Sequence, residues 1–191
     1  MLEVGCGPSG GIVDDLVAAG YDAVAVDPRA PSGERFRQAR LEELDEEPFD
    51  AVVAERVFHH VHPLDAGVDK VARMAPLVVL DEFAWDRIDG ATQEWYERQH
   101  RLLLASGVEP VGPPALDEWR AKHADLIPSD ALLAAFRRRF EEVRHEPRPY
   151  LYRWLNGPAS EALEQTLVDT GAISPIGFRW VGVRRAAAST G

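Results

Sequence analysis

Apolar residues in this chain come in short blocks separated by turn-forming residues. Leu2-Glu3-Val4 reads as the end of a strand that runs straight into the turn Gly5-Cys6-Gly7-Pro8-Ser9-Gly10-Gly11. The periodicity then predicts a helix over about 12–19, with Val13, Leu16 and Val17 on one face and Gly20 as its stop. Residues 22–27 form a short apolar strand that ends in Asp27. After a polar stretch over 28–48, with one short apolar segment, residues 49–54 read as a buried strand. Residues 63–74 follow as a helix. Leu77-Val78-Val79-Leu80 is the continuous apolar run expected of a central parallel strand. Strand, turn, helix and strand in repetition predict an α/β sheet with right-handed crossovers.

The second half changes character. Trp95, Tyr96, Leu102 and Leu103 recur at helical spacing, and Leu116, Trp119 and His123 continue in a second helix. A third helix is expected from Ser129, read as its N-cap, through Leu132, Leu133, Phe136 and Phe140. Residues 141–146 and 176–184 read as the last two strands, with a helix between them that Pro158 opens and Gly171 closes. One domain over 1–191 is expected, with 86–139 a helical insertion or lid ahead of those two strands. The aromatic residues Trp95, Tyr96, Trp119, Tyr150, Tyr152 and Trp154 gather in and after the insertion, where they serve mainly as core.

Charge narrows the partners. The formal net charge of −11 repels phosphate backbones, so no nucleic-acid partner is expected. Arg137-Arg138-Arg139 reads as a solvated helix face. A single cysteine, Cys6, makes no internal disulfide and fits a reducing compartment. No leader and no long apolar run is visible, so a cytoplasmic protein without a membrane segment is expected. An exposed first strand would also offer a surface for a homodimer.

Gly5-x-Gly7-x-x-Gly10 follows a strand and opens a helix, the context in which such a turn lets a ligand approach bare backbone. The helix behind it would offer free N–H groups to an anionic moiety. About twenty residues on, Asp27 ends the second strand, where a carboxylate can take both hydroxyls of a ribose. Glu3 bears on the kind of nucleoside. A carboxylate there would repel a pyrophosphate but would welcome a ligand that carries an ammonium and a sulfonium.

Leu2-Glu3-Val4-Gly5-Cys6-Gly7-Pro8-Ser9-Gly10 resembles motif I of the class I S-adenosylmethionine (SAM)-dependent methyltransferases. The resemblance continues through Val26-Asp27-Pro28, the strand from Phe49, Leu77-Val78-Val79-Leu80-Asp81-Glu82 and Gly177-Phe178-Arg179-Trp180-Val181-Gly182. It implies a Rossmann-like, mostly parallel seven-stranded sheet with an antiparallel last strand. SAM, with S-adenosylhomocysteine (SAH) as product, would bind at the carboxyl ends of the strands. By that resemblance Gly5, Cys6 and Gly7 would line the methionine portion, Asp27 and Pro28 the ribose, and Glu3 the amino group. Either Arg40 or, if the register slips, Glu42 would meet the adenine, with Leu41 between them in the same cofactor-binding segment. Glu55 and Arg56 would face the same cleft. The chain begins inside the first strand, so either preceding helices are missing or the insertion supplies the cover.

Methyl transfer is an in-line displacement in which positioning carries much of the catalysis, and a base is needed only for a protonated acceptor. His59, His60 and His62 follow the fourth strand and are the candidate bases, with Glu82 to orient one or to bind a polar acceptor. Their spacing matches no closed zinc pattern, so no metal is expected. The expected reaction is methyl transfer to a small-molecule acceptor at O, N or C. The alternatives are a nicotinamide dinucleotide oxidoreductase and a SAM- or SAH-binding module without turnover.

Overall fold

In the computed structural model, residues 1–45 and 47–186 are described. Seven strands make one sheet: β1 (Leu2–Val4), β2 (Val24–Val26), β3 (Phe36–Arg37), β4 (Ala51–Glu55), β5 (Leu77–Phe83), β6 (Phe140–Arg148) and β7 (Gly177–Arg184). Their order is β3-β2-β1-β4-β5-β7-β6, with six strands parallel and β7 antiparallel to both of its neighbours. The expected sheet and its antiparallel last strand are therefore present. The order reverses between β1 and β4, where open α/β sheets leave a crevice beyond the carboxyl ends of their strands.

Among the described residues six α-helices connect the strands: α1 (Val13–Ala18), α2 (Leu64–Met74), α3 (Gly90–Ala105), α4 (Leu116–Lys122), α5 (Ser129–Arg139) and α6 (Pro158–Asp169). Among the described residues no helix is long and apolar enough to cross a membrane. Residue contacts divide the chain into two compact units. The first comprises 1–82, 130–145 and the described residues from Arg179 onward; the second comprises 83–129 and 146–178.

In the first unit β1 lies between β2 and β4, and all three of its residues are buried. The exposed first strand that would have offered a dimer surface is thus an interior strand. Register pairs Glu3 with Ala25 on one side and Val53 on the other. Side chains alternate across a strand, so Glu55, two positions beyond Val53, lies on the same face as Glu3. Cys6, Val13, Ala23, Ala25 and Ala30 form a small core under α1, and their short side chains let the helix sit close to the sheet.

Two elements differ from expectation here. β3 is a two-residue strand inside the polar stretch, too short for any period to reveal. β5 runs on through Asp81 and Glu82 to Phe83. Asp81 is engaged by Arg179 at 2.9 Å, and Glu82 accepts N–H bonds instead of facing water.

The second unit packs around aromatic rings. Phe83 stacks on Tyr150 at 4.1 Å between centroids, and Trp119 and Trp154 pack around the pair. Beside them the fully buried Glu164 accepts the amides of Tyr150, Leu151 and Tyr152 at 2.8, 2.9 and 2.6 Å. Burial pushes its carboxyl up from the ordinary range, and the three donors oppose that shift. Ser129 is the first helical residue of α5 and not its N-cap. Its amide and hydroxyl both donate to the Asp86 carboxylate, at 2.8 and 3.0 Å.

Candidate cofactor and acceptor site

β1 ends in the glycine turn. The Gly5 amide donates to Val26 O at 2.9 Å, and its φ of +88° lies where only glycine sits without strain. A Cβ on Gly5 would also stand 2.5 Å from Val57 Cβ, so the turn and the loop after β4 touch through bare backbone. Gly11 is fixed for another reason: any Cβ there would strike the Glu3 carboxylate.

Glu3 is 1% exposed, and both of its oxygens accept from the Ile12 amide, at 3.1 and 3.0 Å. The N–H expected to serve an anionic ligand is spent on this carboxylate. Burial pushes the Glu3 carboxyl up to about 7, with a smaller push from the Glu55 charge, while the Ile12 bond works the other way. Cys6 is buried too. Burial, then the charges of Glu3 and Asp27, raise its thiol to about 11 and keep it protonated.

A cavity of about 560 Å³ opens beyond the carboxyl ends of β1, β2 and β4. Its near end is walled by Gly5, Gly7, Asp27 and Pro28. Asp27 follows β2 directly, and its Oδ1 accepts the Arg29 amide at 2.7 Å, which turns the carboxylate at the strand's end. Ala39, Arg40, Leu41 and Glu42 form the next wall, on a single 3-10 turn over Leu41–Glu43. That turn is anchored from behind by Lys70 of α2, whose Nζ donates to Glu42 O at 2.8 Å and to Leu44 O. Sequence pattern gave no sign of this role, because a buried lysine that bonds carbonyls looks like any helix lysine.

The far end is lined by Arg56, Val57, His60, Val61 and His62. Arg56 has φ +54°, a costly region for a residue with a Cβ. Its amide donates to Asp81 O at 2.8 Å and its guanidinium meets Glu55 at 3.1 Å, so both ends of the residue are held.

The cavity thus brings together Gly5, Gly7, Asp27, Pro28, Leu41, Glu42 and His60 from the sequence-predicted set. Glu3, Cys6, Glu55, His59 and Glu82 do not line it. His59 is buried, and its Nδ1 meets Glu82 Oε2 at 2.7 Å. Glu82 Oε1 accepts the amides of Val57 and Phe58 at 3.0 and 2.7 Å. These two residues hold the loop that carries His60. Among the described residues no cluster of three or more metal-ligating side chains occurs.

Residues 2–75 match the family model described as a methyltransferase domain. The match runs from β1 through α2, the part of the chain that walls the cavity. Solved methyltransferase structures share this fold over nearly the whole chain. A SAM-dependent methyltransferase from Mesorhizobium loti superposes with a TM-score of 0.58 at 17% identity, over 96% of this chain and 89% of that one. A protein from Anabaena variabilis, assigned as a methyltransferase of an antibiotic biosynthesis pathway, gives 0.58 at 15%, over 95% and 90%. The Haemonchus contortus phosphoethanolamine N-methyltransferase 2 in complex with SAM gives 0.57 at 12%, over 97% of this chain and 48% of that one. At these identities the likeness is one of fold. No curated protein matches.

Proposed function

We propose that this protein is a methyltransferase that transfers the methyl group of SAM to a small-molecule acceptor at oxygen, nitrogen or carbon. One observation carries the reading: a single cavity joins the ribose-type carboxylate Asp27 and the glycine turn to His60 and His62. Its volume of about 560 Å³ is of small-ligand scale, and the chain's charge of −11 disfavours a nucleic acid.

The donor set fits the cofactor. Asp27 would bind the ribose hydroxyls beside Pro28, and Leu41 with Glu42 would wall the adenine. Open space over Gly7, where a Cβ would meet nothing within 4 Å, leaves room for the methionine portion. The acids Glu3 and Glu55 lie on one sheet face behind the turn and favour a cationic ligand through space, with Cys6 a neutral filler. Bound SAM supplies an electrophilic methyl on a sulfonium. This chain's own work is then to orient the acceptor and, where the acceptor is protonated, to take its proton.

His60 is the candidate base, since it lines the cavity and is exposed to it. His59 and Glu82 act through it as positioning residues. The test is SAH formation against an acceptor panel. A base role predicts that His60→Ala lowers kcat by about 10²–10⁴-fold for hydroxyl or ammonium acceptors, with SAM affinity unchanged. No SAH with any acceptor would favour the binding module without turnover.

A further inference from the structure

A second cleft, of about 610 Å³, lies at the opposite end of the strands, where β5 begins and the antiparallel β7 ends. It is lined by Arg138, Arg139, Arg184 and Arg185 together with Ala72, Pro76 and Ala186, and among the described residues by no carboxylate. In a chain of net charge −11, four guanidinium groups around one concavity are a local reversal of sign. The arginines are tethered from behind. Arg139 donates to Asp69 at 2.5 and 3.1 Å, which holds the Asp69 carboxyl below its ordinary range, and Arg138 pairs with Asp65. Arg184 Nη1 donates to Ala72 O at 2.7 Å, and Arg185 Nε to Arg137 O at 3.2 Å.

The two helix-end carbonyls thereby gain donors, which is a structural task. That task uses only one of the five N–H donors on each of these two guanidinium groups. Asp65 and Asp69 offset two of the four cations. Among the described residues Arg184 and Arg185 are held by carbonyls and not by carboxylates, which leaves their charge unneutralised by those partners in the cleft. Fixed, planar, unneutralised guanidinium groups are suited to bidentate recognition of phosphate or carboxylate.

We propose that this cleft is a binding site for a compact polyanion, a di- or triphosphate or a polycarboxylate, separate from the methyl-transfer cavity. The test is calorimetric titration of the full chain at low ionic strength with inorganic pyrophosphate in one arm and citrate in the other. Saturable binding of either probe by the unaltered chain is expected. The pair R184Q/R185Q should weaken it at least about tenfold, and R138Q alone by less, with SAM binding unchanged in both. R138Q guards against misfolding, since Arg138 bonds an exposed aspartate and no helix-end carbonyl. Exposed Arg35, elsewhere in the first unit, is the control, and R35Q should leave binding intact. No saturable binding of either probe, full affinity in R184Q/R185Q and R138Q, or equal loss in R35Q would each overturn the proposal.

Discussion

Glu82 Oε2 lies 2.7 Å from His59 Nδ1, while the other oxygen of the same carboxylate takes the amides of Val57 and Phe58. One buried acid thus sets the ring orientation of His59 and closes the backbone that leads to His60. Removing it takes this acceptor from the buried Phe58 amide, the half-buried Val57 amide and the His59 imidazole. Glu82→Ala is expected to cost about 2–4 kcal/mol of unfolding free energy, and Glu82→Gln less, since one carbonyl oxygen remains. Denaturant unfolding of the three proteins measures the order. Equal stability for all three would show that the loop is held by other means.

Glu3 carries a pH signature. Its carboxyl is raised from 4.5 to about 7, so the folded chain keeps a proton that the unfolded chain releases between those values. Stability contributed by this group is therefore lost as pH rises through that window. SAM affinity should run the opposite way, rising as Glu3 ionises and attracts a cationic ligand. Glu3→Gln is expected to flatten both dependences and to weaken SAM binding above about pH 7. Melting curves and SAM titrations across pH check the two signs separately.

Cys6 should be inert in the native protein. With its thiol buried and raised to about 11, alkylation by iodoacetamide at neutral pH is expected to proceed only on unfolding. Native labelling at the rate of a free thiol would contradict that burial.

Arg56 holds a left-handed backbone at φ +54° in the cavity wall. Arg56→Gly relieves that conformation and removes the ion pair with Glu55, which is partly exposed and worth little. The expected result is a stability gain of up to about 1 kcal/mol together with impaired turnover, because strain kept at a site serves positioning there. A loss of stability on this substitution would show that the conformation carries no cost.

Much of this architecture was legible in the sequence because it rests on local rules. The glycine turn is needed for close backbone approach, Asp27 for a strand's end, and the apolar runs of β4 and β5 for burial on both faces. What hydrophobicity could not reveal was the acids and bases that are buried because they are satisfied. Glu82 lies inside β5, Glu164 caps a turn, and Lys70 reaches carbonyls from α2. Each is polar in sequence and interior in space, so a rule that ends elements at charges stops too soon. The histidine pair had the same blind spot. Adjacent residues point different ways, and only coordinates separate buried His59 from the cavity-lining His60.

The most direct test of the account is a parallel calorimetric titration of the purified chain with SAM, SAH and NAD⁺. Saturable binding of SAM and SAH, abolished or strongly weakened by Asp27→Ala, with no binding of NAD⁺, is the predicted result. Binding of NAD⁺ in place of SAM, or SAM affinity indifferent to Asp27, would contradict it.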